Sequence, residues 1–238
     1  MPNRSLIRAT LHVCLAATLA LALAGCSSQK HVTAPVVTAP AGPAATSPQG
    51  AVQRLVWALE SRDFASYDAL LTDDYAFVFA TSDSAGNHFP DRSLDRPLEE
   101  TSMQHLLVGG GAQPPASSIT AAIDSPLVSQ PDTRPGRNPG WHRSIRTRLT
   151  VQFTIDQGGS PDVESVTGYA LFYLVRGDSA YFLPGSGARP DSTRWFVSRW
   201  NDESSTYGGL PGVHADPTRS STLGQIKFDY LVSASPRR

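Results

Sequence analysis

The chain predicts an α+β fold, with helices gathered near the N-terminal side and strands after them. Three observations carry this. Val52, Leu55, Val56 and Leu59 recur at helical spacing, i, i+3, i+4, i+7. Strict alternation runs from Ile145 to Asp156, with Ile145, Thr147, Leu149, Val151, Phe153 and Ile155 pointing one way and Arg146, Arg148, Thr150, Gln152, Thr154 and Asp156 the other. From Ser117 onward strand patterns dominate.

Taken in order, Pro48 and Gly50 open a helix over 48–61. Asp63 is placed to cap a second, short helix with Phe64, Tyr67, Leu70 and Leu71 on one side. Beyond Thr72, Asp73 and Asp74 the period changes, and 75–80 reads as a strand. Residues 82–91 are rich in turn formers. A third helix is expected over 95–107, with Asp95 as cap, Pro97 in its first turn and Gly109, Gly110 and Gly111 stopping it. A strand over 119–128 and a loop over 130–140 precede the alternating strand. Gln157 to Pro161 turns the chain into 163–176, apolar on both faces as a central strand would be. Strands over 178–183 and 193–201 follow, the latter carrying Trp195, Phe196, Val197 and Trp200. The stretch 204–222 reads as loop, and 223–232 as a short helix or edge strand.

The N-terminal segment resembles a bacterial lipoprotein signal. Arg4 and Arg8 precede an apolar run, Leu11 to Ala24, which ends in Leu23-Ala24-Gly25-Cys26. That run is too short for a spanning helix, which needs roughly 20 residues. The resemblance implies cleavage before Cys26 and acyl chains on its thiol and amine, so Cys26 is the expected lipidation site. Two or three acyl chains hold a protein on a membrane firmly. Ser27, where an acidic residue would favour inner-membrane retention, implies the periplasmic face of the outer membrane in a Gram-negative cell. The other cysteine, Cys14, lies in the removed segment, so no disulfide is expected. Removing residues 1–25 takes away two of the 20 basic residues and none of the 21 acids, which moves the net charge from −1 to −3. Near-neutrality argues against a nucleic-acid partner. Three segments follow: a signal peptide over 1–25, a lipidated cysteine with a Pro/Ala-rich tether over 26–47, and one domain over 48–233.

Helix, short helix, Asp73-Asp74-Tyr75 entering a strand, a third helix and then long strands form an order that resembles the nuclear transport factor 2-like superfamily. The residues carrying the likeness are 52–75 and Arg194 to Asp202. The resemblance implies a cystatin-like cone, a strongly curved antiparallel sheet wrapped around the N-terminal helices with a pocket at its open end. Enzymes of that superfamily place an ionisable residue inside the pocket. Here no position aligns with such an acid or base, so isomerase or cyclase activity does not carry over.

Candidate residues are weighed by chemistry. His88 and His105 lie near the expected pocket mouth and third helix, where an imidazole could move protons near neutral pH, and both read more simply as surface or satisfied histidines. Asp91 and Glu99 could enter from the same region. Asp73 and Asp74 read as solvated turn formers. Histidines 31, 88, 105, 142 and 214 form no ligand-spaced pair, so no metal is expected, and no motif calls for a cofactor. Arg134, Arg137, Arg143, Arg146 and Arg148 make the densest basic stretch, either a solvated face or an anion site. Trp57, Tyr169, Tyr173 and Trp200 are the aromatic residues expected to line an apolar ligand pocket. The function expected is a membrane-anchored envelope protein that binds a small apolar ligand or an envelope protein without catalysis. The alternatives are a small pocket-based hydrolase, isomerase or lyase, and a structural subunit that forms a homodimer through its sheet.

Overall fold

A computed structural model describes residues 41–177, 192–204 and 219–232. Helix α1, Pro48–Glu60, starts where Ser47 accepts a hydrogen bond from the Gly50 amide at 3.0 Å and Pro48 fills a first-turn position that needs no amide donor. It buries Val52, Leu55, Val56, Ala58 and Leu59, each large aliphatic side chain being stabilising by roughly 1.5–3 kcal/mol. Arg62, at φ 52°, reverses the chain. The Asp63 carboxylate then accepts from the Ser66 amide at 3.0 Å and begins α2, Phe64–Asp68. Strand β1, Leu71–Val78, begins four residues before the expected Tyr75, and it carries Asp73 and Asp74 exposed. Two short 3-10 turns, Ser84–His88 and Pro90–Arg92, lead to β2, Ser93–Asp95, and to α3, Arg96–Leu107, capped by Asp95 as expected.

The remaining strands are β3, Ala116–Ile123, β4, Ser129–Pro131, β5, His142–Asp156, β6, Pro161–Arg176, β7, Trp195–Ser204, and β8, Arg219–Ser221. Helix α4, Leu223–Leu231, closes the described chain with Thr222 as its cap. The short strand β8 lies inside the stretch 204–222 that the sequence reads as loop. The strand expected at 178–183 lies outside the described residues.

The sheet runs β2-β1-β7-β6-β5-β3, with β4 also on β5 and β8 also on β6. It is mostly antiparallel, but β1 pairs parallel with β7 and β8 parallel with β6. These exceptions to an all-antiparallel sheet join segments that no tight hairpin links, so no turn dictates their direction. The β5–β6 hairpin turns at Gly158 and Gly159, both at positive φ. At Gly168 a Cβ atom would lie 2.4 Å from the Ser204 Cα, so β7 can approach β6 only because that side chain is missing.

Helix α1 touches β3, β5, β6 and β7, while α3 touches β1 and β2. The sheet therefore has one inner face, closed by helices. All six residues that alternate on β5 from Ile145 to Ile155 are buried there, opposite Phe172, Ala170 and Val166 of β6. The last residues of the expected tether join the domain. Ala45 is buried, its carbonyl accepts from the Trp195 amide at 2.8 Å, and Arg54 donates to the Pro43 carbonyl at 3.2 Å. No helix among the described residues is long and apolar enough to cross a membrane.

Candidate functional site

Four elements converge on a charged cluster inside the core. Glu99 sits in the first turn of α3, on the stripe it shares with Ser102, Met103 and Leu106. Lys227 sits on α4 in the stripe of Leu223, Ile226 and Tyr230. Both are 0% exposed, and Lys227 Nζ donates to Glu99 Oε1 at 2.5 Å. The Tyr67 hydroxyl, from α2, donates to the same oxygen. Tyr75, from β1, is buried beside them. The ammonium lies 3.8 Å from the centre of the Phe77 ring and 4.8 Å from that of Trp200. Phe77 and Trp200 are directly paired across β1 and β7, with their rings edge to face at 5.8 Å.

Electrostatics follows from burial. Loss of water pulls the Lys227 pKa down from the usual lysine value, against the pull of Glu99 the other way. Burial, with the Glu99 charge beside them, pushes Tyr67 and Tyr75 well above the usual tyrosine value, so both keep their protons. Glu99 Oε2 and Trp200 Nε1 are buried without a hydrogen-bond partner.

A second layer locks α4 in place. The Asp202 carboxylate accepts from the Gly224 amide at 3.1 Å and the Ser204 amide at 2.9 Å, while burial raises its pKa. Asp83 accepts from the Thr222 hydroxyl and from the Ala85 amide at 2.9 Å. Ser102 donates to the Lys227 carbonyl at 2.9 Å. A Cβ at Gly224 would stand 2.5 Å from both Asp83 Oδ2 and Phe79 Cδ1, so the close seating of the helix depends on glycine there.

The outer face of the sheet is a different environment. Register places Arg148 opposite Tyr169 on β6, Tyr169 opposite Glu203 on β7, and Tyr173 opposite Arg199. The Arg146 guanidinium lies 3.9 Å from the Tyr169 ring centre and donates to Glu203 at 2.8 Å. The Arg134 guanidinium lies 3.7 Å from the Tyr173 ring centre and forms a salt bridge with Asp132 at 2.7 Å. Burial and the nearby Arg134 charge hold the Arg199 pKa below its usual value. Tyr169 is 43% exposed.

The four aromatic residues expected to line one pocket are therefore not brought together. Tyr169 and Tyr173 stand on the outer face, because residues directly opposite in antiparallel strands share a face and Arg148, the partner of Tyr169, points outward. Trp200 is buried within the core, and Trp57 lies half-buried on α1 with Arg54 beside it. His88 is exposed and stacks on Phe228 at 4.8 Å. His105 places Nδ1 2.9 Å from the Tyr230 carbonyl. A carbonyl only accepts, so that nitrogen carries the proton. Asp91 is exposed. Of His88, Asp91, Glu99 and His105, Glu99 alone enters the interior cluster. Cys26 lies outside the described residues.

Grooves of about 400 and 320 Å³ lie elsewhere, beside Gln49 at the start of α1, and neither is lined by Glu99 or Lys227. Among the described residues no group of three or more histidines, cysteines or carboxylates could hold a metal ion. Sequence reasoning missed Lys227, Tyr67 and Tyr75 as members of a polar cluster. The available signal was a pair of opposite charges, each lying on the apolar stripe of its own helix.

No family model matches the chain, and no curated protein matches it. Solved structures similar in fold include a nuclear transport factor 2-like superfamily protein from Salmonella enterica serovar Typhimurium, 10% identical with a TM-score of 0.42 over 70% of this chain and 94% of that one. A protein of unknown function from Mycobacterium tuberculosis is 12% identical with a TM-score of 0.43, covering 77% of this chain and 83% of that one. A hexachlorocyclohexane dehydrochlorinase, LinA type 2, is 11% identical with a TM-score of 0.41, covering 70% and 88% respectively. These are likenesses of fold and carry nothing about activity.

Proposed function

We propose that this chain is a membrane-tethered, non-catalytic binding module that engages an acidic protein surface through the outer face of its sheet. The observation carrying this reading is the aromatic and guanidinium ladder of Arg134, Tyr173 and Arg199 beside Arg146, Tyr169 and Arg148. Arginine and tyrosine are the residue types that dominate binding energy at protein interfaces. Guanidiniums stacked on rings are held in place before a partner arrives, which lowers the ordering cost of binding. Burial first, and the Arg134 charge after it, hold the Arg199 pKa below its usual value, and a partner's carboxylate beside these guanidiniums would favour their charged forms.

One further point supports the absence of catalysis. General acid–base chemistry needs a titratable group within reach of a reacting atom, and Glu99 and Lys227 are 0% exposed and committed to each other. The tether rests on the lipoprotein-like signal that ends in Leu23-Ala24-Gly25-Cys26.

Binding of a fluorescent oligoglutamate peptide, followed by anisotropy against salt, tests the reading. The expected result is salt-sensitive binding to a monomer that weakens roughly tenfold in Arg146→Ala or Tyr169→Ala. A dimer in solution that Tyr169→Ala dissociates would move the sheet face to self-association. A monomer indifferent to acidic peptides would end the proposal.

A further inference from the structure

The surroundings of the Lys227 ammonium are those of a receptor for organic cations. One carboxylate oxygen takes an N–H donor, and two aromatic faces, Phe77 and Trp200, stand 3.8 and 4.8 Å from the nitrogen. The ring quadrupole attracts a cation most strongly where water is excluded, which is how aromatic cages recognise ammonium ligands. The walls of this cage come from β1, β7 and α3, whereas the cation comes from the separate helix α4. Around it the Tyr75 hydroxyl, Glu99 Oε2 and Trp200 Nε1 are buried without a hydrogen-bond partner.

We infer that the interior is a binding site for a small primary alkylammonium ligand, filled in this structure by the chain's own Lys227 as a tethered occupant. The 2.5 Å contact to Glu99 requires an N–H donor, so a primary ammonium fits and a quaternary one does not. An external amine competes with α4, which is held by the Asp202, Asp83 and Ser102 hydrogen bonds. The site is separate from the outer sheet face and does not depend on the function proposed for it.

The test uses Lys227→Ala in the full-length chain, with n-propylammonium as the probe, because it replaces the side-chain atoms removed. The amine should raise the thermal midpoint saturably at one site per chain. It should bind roughly tenfold or more tightly than n-propanol or tetramethylammonium, and Glu99→Gln in the same background should remove that preference. If Lys227→Ala folds only when n-propylammonium is present, and not with n-propanol, the inference is equally supported. Lys227→Met keeps an apolar stem where the lysine stem lies and should ignore the amine. In the wild-type chain, hydrogen exchange of the 223–231 amides should rise with n-propylammonium and not with n-propanol. Indifference of Lys227→Ala to the amine, an equal response to n-propanol, an equal response in Lys227→Met, or flat exchange in the wild type would each overturn the inference.

Discussion

Removing one member of the Glu99–Lys227 pair should cost far more than removing both. At an effective dielectric constant near 20, unit charges at the observed hydrogen-bond separation attract by ~5–7 kcal/mol, while drying each ion costs several kcal/mol. The pair as a whole therefore contributes little net stability. Glu99→Gln leaves the ammonium buried against two rings with only the Asp202 carboxylate acting on it through space, and Lys227→Met leaves a carboxylate with Tyr67 as its hydrogen-bond donor. Each single variant is expected to lose ~3–5 kcal/mol, and the double variant to lie within roughly 1–2 kcal/mol of wild type. The resulting coupling should exceed ~2 kcal/mol. Urea denaturation of the four proteins, followed by tryptophan fluorescence, measures it. Additive single effects would refute the reasoning.

Phe153→Ala, which empties part of the inner face, should cost ~3–5 kcal/mol, against a change within roughly ±0.5 kcal/mol for Arg148→Ala on the outer face. Equal urea midpoints for the two would contradict the β5 register. Burial pushes the Asp132 carboxyl upward, but the Arg134 amide and guanidinium outweigh it and hold the pKa below the ordinary 3.8. A depressed carboxylate stabilises the fold above its ordinary value, and the effect fades as pH falls through that value. An acid titration of stability should therefore fall less steeply in Asp132→Asn than in wild type. Cys26→Ser should leave the protein unprocessed or released from membranes, and fractionation showing normal processing and membrane retention would count against lipidation.

What the sequence by itself determined was local: which residues form helices, where caps start them, and which side of β5 meets the core. Those features follow from side-chain spacing along one segment, with periods near 3.6 and 2. Asp63 and Asp95 cap their helices because a short polar side chain can reach an amide three residues on. Alternation on β5 could not say which face of β6 points inward, since that depends on the pairing register, and Tyr169 and Tyr173 consequently stand outside. Nor could it give the parallel β1–β7 pairing, which no hairpin specifies. The interior charge cluster belonged wholly to the tertiary structure. Glu99 and Lys227 are 128 residues apart, and the apolar stripe on which each lies names no partner for its charge. Only the packing of α4 against α3 places one within reach of the other, and only in that dry contact does a lysine on an apolar stripe become stable.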